Sequence, residues 1–323
     1  MSTNEIAMAK LEEAARLRRR ITQLSVSAAL VLTVIKTLAW RASGSVSMLA
    51  SLTDSGLDIL AALGTYFAVR YAVQAPDAEH RYGHGKAEAF ASLMQAGLVF
   101  ASAALVGEQA VVHLLRPEPL AYEAWGLAVM AVSIVVTAGV VYAQSQVLKR
   151  APSVAVEGDR LHYAADLASN LIAFAGIGVS AALHAPQADA IAGILVVAWL
   201  VWGAVGVFRR AAYELMDHEL DQASRARIAA LMKEDRRVKD VHQMRTRASG
   251  PYIHIQMHAD LDPALSLVEA HQVMVAAEKR VLDAFPAADL IIHPDPRGRA
   301  EAHGGAFTEV HAGQARAGES KAG

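Results

Sequence analysis

Cysteine is absent from the 323 residues, so the chain has no disulfide framework, no thiolate zinc cluster and no cysteine nucleophile. Charge is scarce: 19% of residues are Asp, Glu, Lys or Arg, against about 25% in globular domains. What charge there is nearly cancels, leaving a formal −2, and nothing in that balance marks a nucleic-acid partner. The signature of disorder, low hydrophobicity with high charge, is missing too, since 54% of residues are hydrophobic. Thirteen histidines are the one surplus that asks for chemistry.

The scarcity is uneven. Residues 21–210 carry 23 charges in 190 positions, whereas residues 211–323 carry 31 in 113. The first part holds six long apolar stretches, at residues 21–40, 42–69, 89–115, 124–148, 161–184 and 190–208. A hydrocarbon core about 30 Å thick needs about 20 helical residues, so each stretch can span it. The first is too long for the apolar core of a cleaved signal peptide. The expected organisation is a cytoplasmic N-terminal segment (1–20), a six-helix all-α transmembrane domain (21–210), a small cytoplasmic α/β domain (211–299) and a disordered tail (300–323).

Orientation follows from Lys and Arg in the short loops. Lys10, Arg16, Arg18, Arg19 and Arg20 precede the first stretch. Arg70, Arg81 and Lys86 follow the second, Lys149, Arg150 and Arg160 the fourth, and Arg209 and Arg210 close the sixth. The opposite loops offer only Arg41 and Arg116. Both termini are therefore expected on the cytoplasmic side. In the polar part, helical spacing at 222–234, strands at 238–247 and 252–261, a helix at 266–285 and a short strand at 289–293 give the order α-β-β-α-β. That order suggests a small ferredoxin-like sandwich.

Charges inside the apolar stretches are the informative ones, because a charge at the bilayer centre costs at least about 2.5–3.5 kcal/mol. Asp54 and Asp58 lie four apart, on one helical face. Two carboxylates that close in low dielectric do not both stay ionised without a cation. His162 and Asp166 repeat the spacing on the fifth stretch. Together they offer one imidazole nitrogen and three carboxylates, a set suited to a divalent ion such as zinc. Glu108 and Lys36, nearer the ends of their stretches, are expected to snorkel to the interface. Asn170 is expected either to bond a ligand or to join helices. No His-Glu-x-x-His and no serine elbow is present, so an enzyme is not expected.

Three motifs then act as a composite: Asp54-Ser-Gly-Leu-Asp58, Asp77-Ala-Glu-His80-Arg-Tyr-Gly-His84-Gly-Lys86-Ala-Glu88, and His162-Tyr-Ala-Ala-Asp166. In these the chain resembles the cation diffusion facilitator family, in particular its bacterial zinc/iron efflux subgroup. The resemblance implies a homodimeric metal–proton antiporter of the bacterial cytoplasmic (inner) membrane. It would export zinc, iron(II) or cadmium with protons as counter-ion, and would hold zinc as a structural or regulatory ion as well. It implies Asp54, Asp58, His162 and Asp166 as the transport site and Asp77, His80 and His84 as a loop site. It also implies His242, His258, His271, His293 and Asp295 as a zinc site of the cytoplasmic domain, and Lys86 with Asp217 as an inter-helix ion pair. Pro294 departs from the family, where a polar residue can contribute, and leaves half of that last site in question. His254 is expected to be merely exposed. A metal-sensing receptor and a passive divalent-cation channel are the rival functions. A receptor does not need mid-membrane carboxylates, and a channel differs in lacking proton coupling.

Overall fold

The computed structural model describes residues 3–43, 46–115, 124–183 and 187–298. The expected tail from residue 300 and Arg116 of an outer loop lie outside the described residues.

Six long helices make up the apolar unit: α1 (Thr3–Ser43), α2 (Val46–Ala72), α3 (Ala87–Leu115), α4 (Ala124–Leu148), α5 (Val154–Leu183) and α6 (Gln187–Leu215). By length and composition, α1, α3, α4 and α6 can cross a membrane. Helices α2 and α5, with 27 and 30 residues, have the length to do so too. Residues 3–20 form one continuous helix with the first span. Helix α6 runs through Arg209 and Arg210 to Leu215, and the second compact unit takes up the chain at Asp217.

Helix α3 is the hub of the bundle. It packs against α2, α5 and α6, while α2 and α5 touch each other only sparsely. Small side chains allow this: Ala96, Val99 and Ala103 of α3 meet Leu161 and Ala165 of α5 and Leu200, Ala204 and Val207 of α6. Without a hydrophobic drive between helices in lipid, such close packing and buried hydrogen bonds hold the bundle together.

The C-terminal unit contains α7 (Gln222–Met232), β1 (Val238–Ser249), β2 (Tyr252–Leu261), α8 (Leu267–Ala284) and β3 (Ala288–Pro296). The sheet order is β1-β2-β3. Strands β2 and β3 pair in parallel, with His258 opposite His293 and Asp260 opposite Asp295. A parallel neighbour needs a crossover, and α8 supplies it. On β2 the alternate residues Ile255, Met257, Ala259 and Leu261 are buried against Ile228, Leu231 and Met232 of α7 and Val273, Ala277 and Val281 of α8. Burying each large side chain stabilises by about 1.5–3 kcal/mol. Helix α8 begins with a capping box: Ser266 accepts from the Glu269 amide, and the Glu269 carboxylate accepts from the Ser266 amide. Strand alternation leaves His258, Asp260, His293 and Asp295 on the face of the sheet away from the helices.

Two substitutions test this core. Ile255→Ala should destabilise the C-terminal domain by about 2–5 kcal/mol through a cavity. Ser266→Ala should do so by about 1 kcal/mol through the lost cap. Thermal unfolding of the full-length protein in detergent, followed by circular dichroism, should rank the two in that order.

Candidate metal centres

The first cluster joins α2 and α5. His162 Nε2 lies 3.2 Å from Asp58 Oδ1 and 3.8 Å from Asp166 Oδ2. Each of the three side chains offers a ligand atom within 4.8 Å of the others. The imidazole is 7% exposed and the two carboxylates 20% and 29%. The i,i+4 spacing on α5 and the approach of α2 bring about this convergence. Asp54 is not part of the triad: it is exposed, one turn nearer the N-terminus of α2.

Lys36 corrects an expectation. It does not snorkel but turns inward from α1, where Nζ donates to Ser55 Oγ at 2.7 Å and to the Ser51 carbonyl at 3.3 Å. Asn170 donates to the Asp166 main-chain carbonyl at 2.9 Å, within its own helix, and not to a ligand atom. Glu108 is exposed on α3, apart from the cluster.

One group escaped the sequence reading. Asp159, one turn before His162, is 1% exposed. Its carboxylate accepts from the Gln95 amide at 3.2 Å and the Gln144 amide at 2.8 Å. Asp159 lies outside the apolar run beginning at Leu161, and its amide partners come from α3 and α4. Gln95 on α3 and Gln144 on α4, amides within long apolar helices, were the available signal.

The second cluster is in the α2–α3 connection. Asp77 Oδ1 accepts from the main-chain N–H of His80 at 2.6 Å and of Glu79 at 2.9 Å. His80 Nδ1 lies 3.2 Å from the same oxygen, and His84 Nε2 lies 3.1 Å from Oδ2. Gly83 adopts φ 79°, which bends the chain so that both imidazoles reach one carboxylate. The His80 amide, the largest influence, holds the Asp77 carboxyl below the ordinary carboxylate range, and the Glu79 amide and the His80 ring act in the same direction.

The third cluster spans the sheet. Asp295 Oδ2 lies 2.8 Å from His258 Nδ1 and 3.5 Å from His242 Nε2, while Oδ1 lies 3.3 Å from His293 Nε2. His242, His258 and Asp295 form a compact triad, with the His293 ring 4.8 Å from that of His258. Asp260, 3.2 Å from His242 Nε2, is a further carboxylate that the sequence reading passed over. His271 does not join within one chain: it is exposed on α8, and α8 packs on the opposite face of the sheet. Pro294 pairs with buried Ala259, so alternation turns it away from His293 and Asp295. His254 is 9% exposed rather than exposed, and its Nδ1 lies 3.1 Å from Asp289. Lys86 donates to the Leu215 carbonyl at 3.3 Å, and Asp217, at φ 55°, accepts from Arg247 at 3.1 Å.

Two family models cover most of the chain. The cation efflux transmembrane domain matches residues 22–216, and the cytoplasmic domain of cation efflux proteins matches residues 220–297. The cation-efflux pump FieF of Shewanella oneidensis is 41% identical over 280 residues, which is 85% of this chain and 93% of the relative. FieF of Pectobacterium carotovorum is 38% identical over 284 residues, 86% and 93% of the two chains. FieF of Cronobacter sakazakii is 36% identical over 282 residues, again 86% and 93%.

The loop geometry has a pH signature. A depressed folded-state pKa stabilises the charged loop at neutral pH and loses that stabilisation as pH falls through it. Exchange protection of the His80 and Glu79 amides, corrected for intrinsic rates, should persist at pH 5 and disappear only below the usual carboxylate range. Asp77→Asn should remove that acid-labile step.

Proposed function

The chain belongs to the cation efflux family, and on that premise we propose that it is a divalent metal–proton antiporter. Its cargo is zinc, with iron(II) and cadmium as the other candidates, and it moves the ion outward across the bacterial inner membrane. The Asp58–His162–Asp166 cluster, set within two long helices of an apolar bundle, carries this reading. Asp54, one turn along α2, supplies a fourth ligand. One nitrogen and three oxygens suit zinc, whose bonds to such atoms are about 2.0–2.2 Å.

Competition between metal and proton drives the cycle. Ligands must be deprotonated to bind metal, so binding releases protons and protonation expels metal. An imidazole, with an ordinary pKa of about 6.5, makes this exchange workable near neutrality. With the site open inward, zinc displaces the proton; with it open outward, external protons displace zinc. The absence of thiolates fits a carrier that must release its ion.

Supporting features extend the reading. The Lys and Arg distribution favours both termini in the cytoplasm. The match to the cytoplasmic domain of cation efflux proteins favours a C-terminal domain on that side, working as a homodimer. There Asp295 with His242, His258 and His293 holds zinc, and His271 belongs to the same surface chemistry through the partner. Asp77, His80 and His84 form a weaker, regulatory loop site.

The test is metal uptake into proteoliposomes with an imposed proton gradient, offering zinc, iron(II), cadmium and manganese in turn. Wild-type uptake should depend on the gradient, which a passive channel would not require. Asp54→Ala and Asp166→Ala should reduce uptake to background while the protein still inserts and dimerises. Undiminished uptake in Asp166→Ala would sink the site. In a separate arm, His162→Asp should alter the metal ranking or the dependence on external pH. An unchanged zinc–proton exchange would remove the imidazole from the mechanism.

A further inference from the structure

The two ligand-bearing helices, α2 and α5, barely pack on each other, and each packs more extensively on α3. The separation of Asp58 from His162 and Asp166 is therefore set through α3. One side chain on α3 touches both. Gln95 is fully buried, and its amide donates to the Ala61 carbonyl at 3.2 Å and Thr65 Oγ1 at 3.0 Å on α2. The same Nε2 donates to Asp159 Oδ1 at 3.2 Å on α5.

The spacing is matched on the two sides. Ala61 and Thr65 follow Asp58 by three and seven residues, and Asp159 precedes His162 and Asp166 by three and seven. Residues so spaced share a helix face. The amide of Gln95 thus ties the two ligand faces together one turn below the ligands themselves. Asp159 is anchored from its other oxygen by Gln144 of α4 at 2.8 Å, and Gln144 also donates to Ser25 Oγ of α1 at 3.0 Å. The backbone is drawn in at the same level. A Cβ on Gly158 would lie 3.1 Å from Gln95 Cβ and 3.2 Å from Ser92 Cα, tighter than ordinary contact.

We propose that Gln95, held by Asp159, is a positioning residue for transport: it fixes the distance between the Asp58 and His162–Asp166 halves of the metal site. The inference rests on the transport reading above. It assigns no metal contact to Gln95 or Asp159, which act through the ligand helices. Partners of this outer kind, when removed, typically cost 10–100-fold in metal affinity. Loosening the tie also widens the site, so the smaller zinc ion loses more than the larger cadmium.

The hydrogen-bond pattern supplies its own control. Gln95 Oε1 and Gln144 Oε1 are buried with no partner among the described residues. In Asp159→Asn, the Gln144 amide can turn over and accept from the new NH2, while Gln95 still donates to the remaining oxygen. That variant keeps the Gln95 tie while removing the charge, at the expense of the Gln144 donation to Ser25. Asp159→Leu removes the tie.

The experiment is initial-rate zinc and cadmium uptake in gradient-loaded proteoliposomes, with inserted protein quantified. In Gln95→Leu and Asp159→Leu the KM for zinc should rise about tenfold or more. The KM for cadmium should rise less, so the zinc preference narrows. Asp159→Asn should stay within about threefold of wild type on the same affinity scale. A purely structural defect would lower the number of active molecules, and so the maximal rate, without moving KM or the ratio of the two metals. Should Gln95→Leu fail to fold, Gln95→Asn keeps the amide but is too short to reach both helices, and Gly158→Ala pushes them apart. Both should shift KM in the same direction. KM values and metal ratio unchanged in the tie-breaking variants, with wild type active, overturn this inference alone. Asp159→Asn as impaired as Asp159→Leu overturns it too, since charge and not the tie would then matter. Gradient-driven uptake absent from the wild type overturns the transport reading and this inference with it.

Discussion

A charge surrounded by hydrocarbon persists only where something answers it, and the apolar unit is arranged around that requirement. Among the described residues, the charges buried in the bundle find partners on other helices. His162 of α5 meets Asp58 of α2. Asp159 of α5 takes two amides, from α3 and α4. Lys36 of α1 is held by Ser51 and Ser55 of α2. Arg18 of α1 lies 3.6 Å from Glu88 of α3, which also accepts from Ser153 at 2.6 Å. Apolar packing alone gives little reason for helices in lipid to choose one arrangement. These cross-helix contacts specify which helices meet and at what depth, so the buried polar groups also help to assemble the bundle.

The sequence revealed depth far better than direction. Position along an apolar stretch placed Asp54 and Asp58 near mid-span, and the i,i+4 spacing placed the members of each pair on one face. Helix α4, with no charge within it, has the expected bounds. Lys36 was misjudged because distance from a helix end says nothing of which way the side chain points, and its serine partners belong to the next helix. Asp159 was missed for a related reason. Its burial depends on Gln95 and Gln144, far from it in sequence, and the charge itself shortened the apolar run that would have drawn attention to it.

Legibility in the C-terminal domain followed the strand period. Alternation on β2 separated Ile253, Ile255 and Met257 from His254, Gln256 and His258 before any pairing was known. Pairing could not be read in the same way. That His258 stands opposite His293 and Asp260 opposite Asp295 depends on the parallel register of β2 with β3, which α8 sets by its packing. His271 shows the converse. Its place on α8 was plain, but only the layer order reveals that α8 lies across the sheet from the other histidines.

That parallel register also has a consequence for synthesis. His242 and His258 leave the ribosome within a hairpin, yet Asp295, their common partner, arrives only after α8 has been made. A parallel pair of this kind closes late, because the connecting loop must lose its entropy before the contacts form. The emerging domain therefore passes through a stage with a finished hairpin, an open sheet edge along β2 and unanchored imidazoles. Seating β3 covers that edge and completes the cluster in a single step, so the order of translation leaves the histidine site until the last strand has docked.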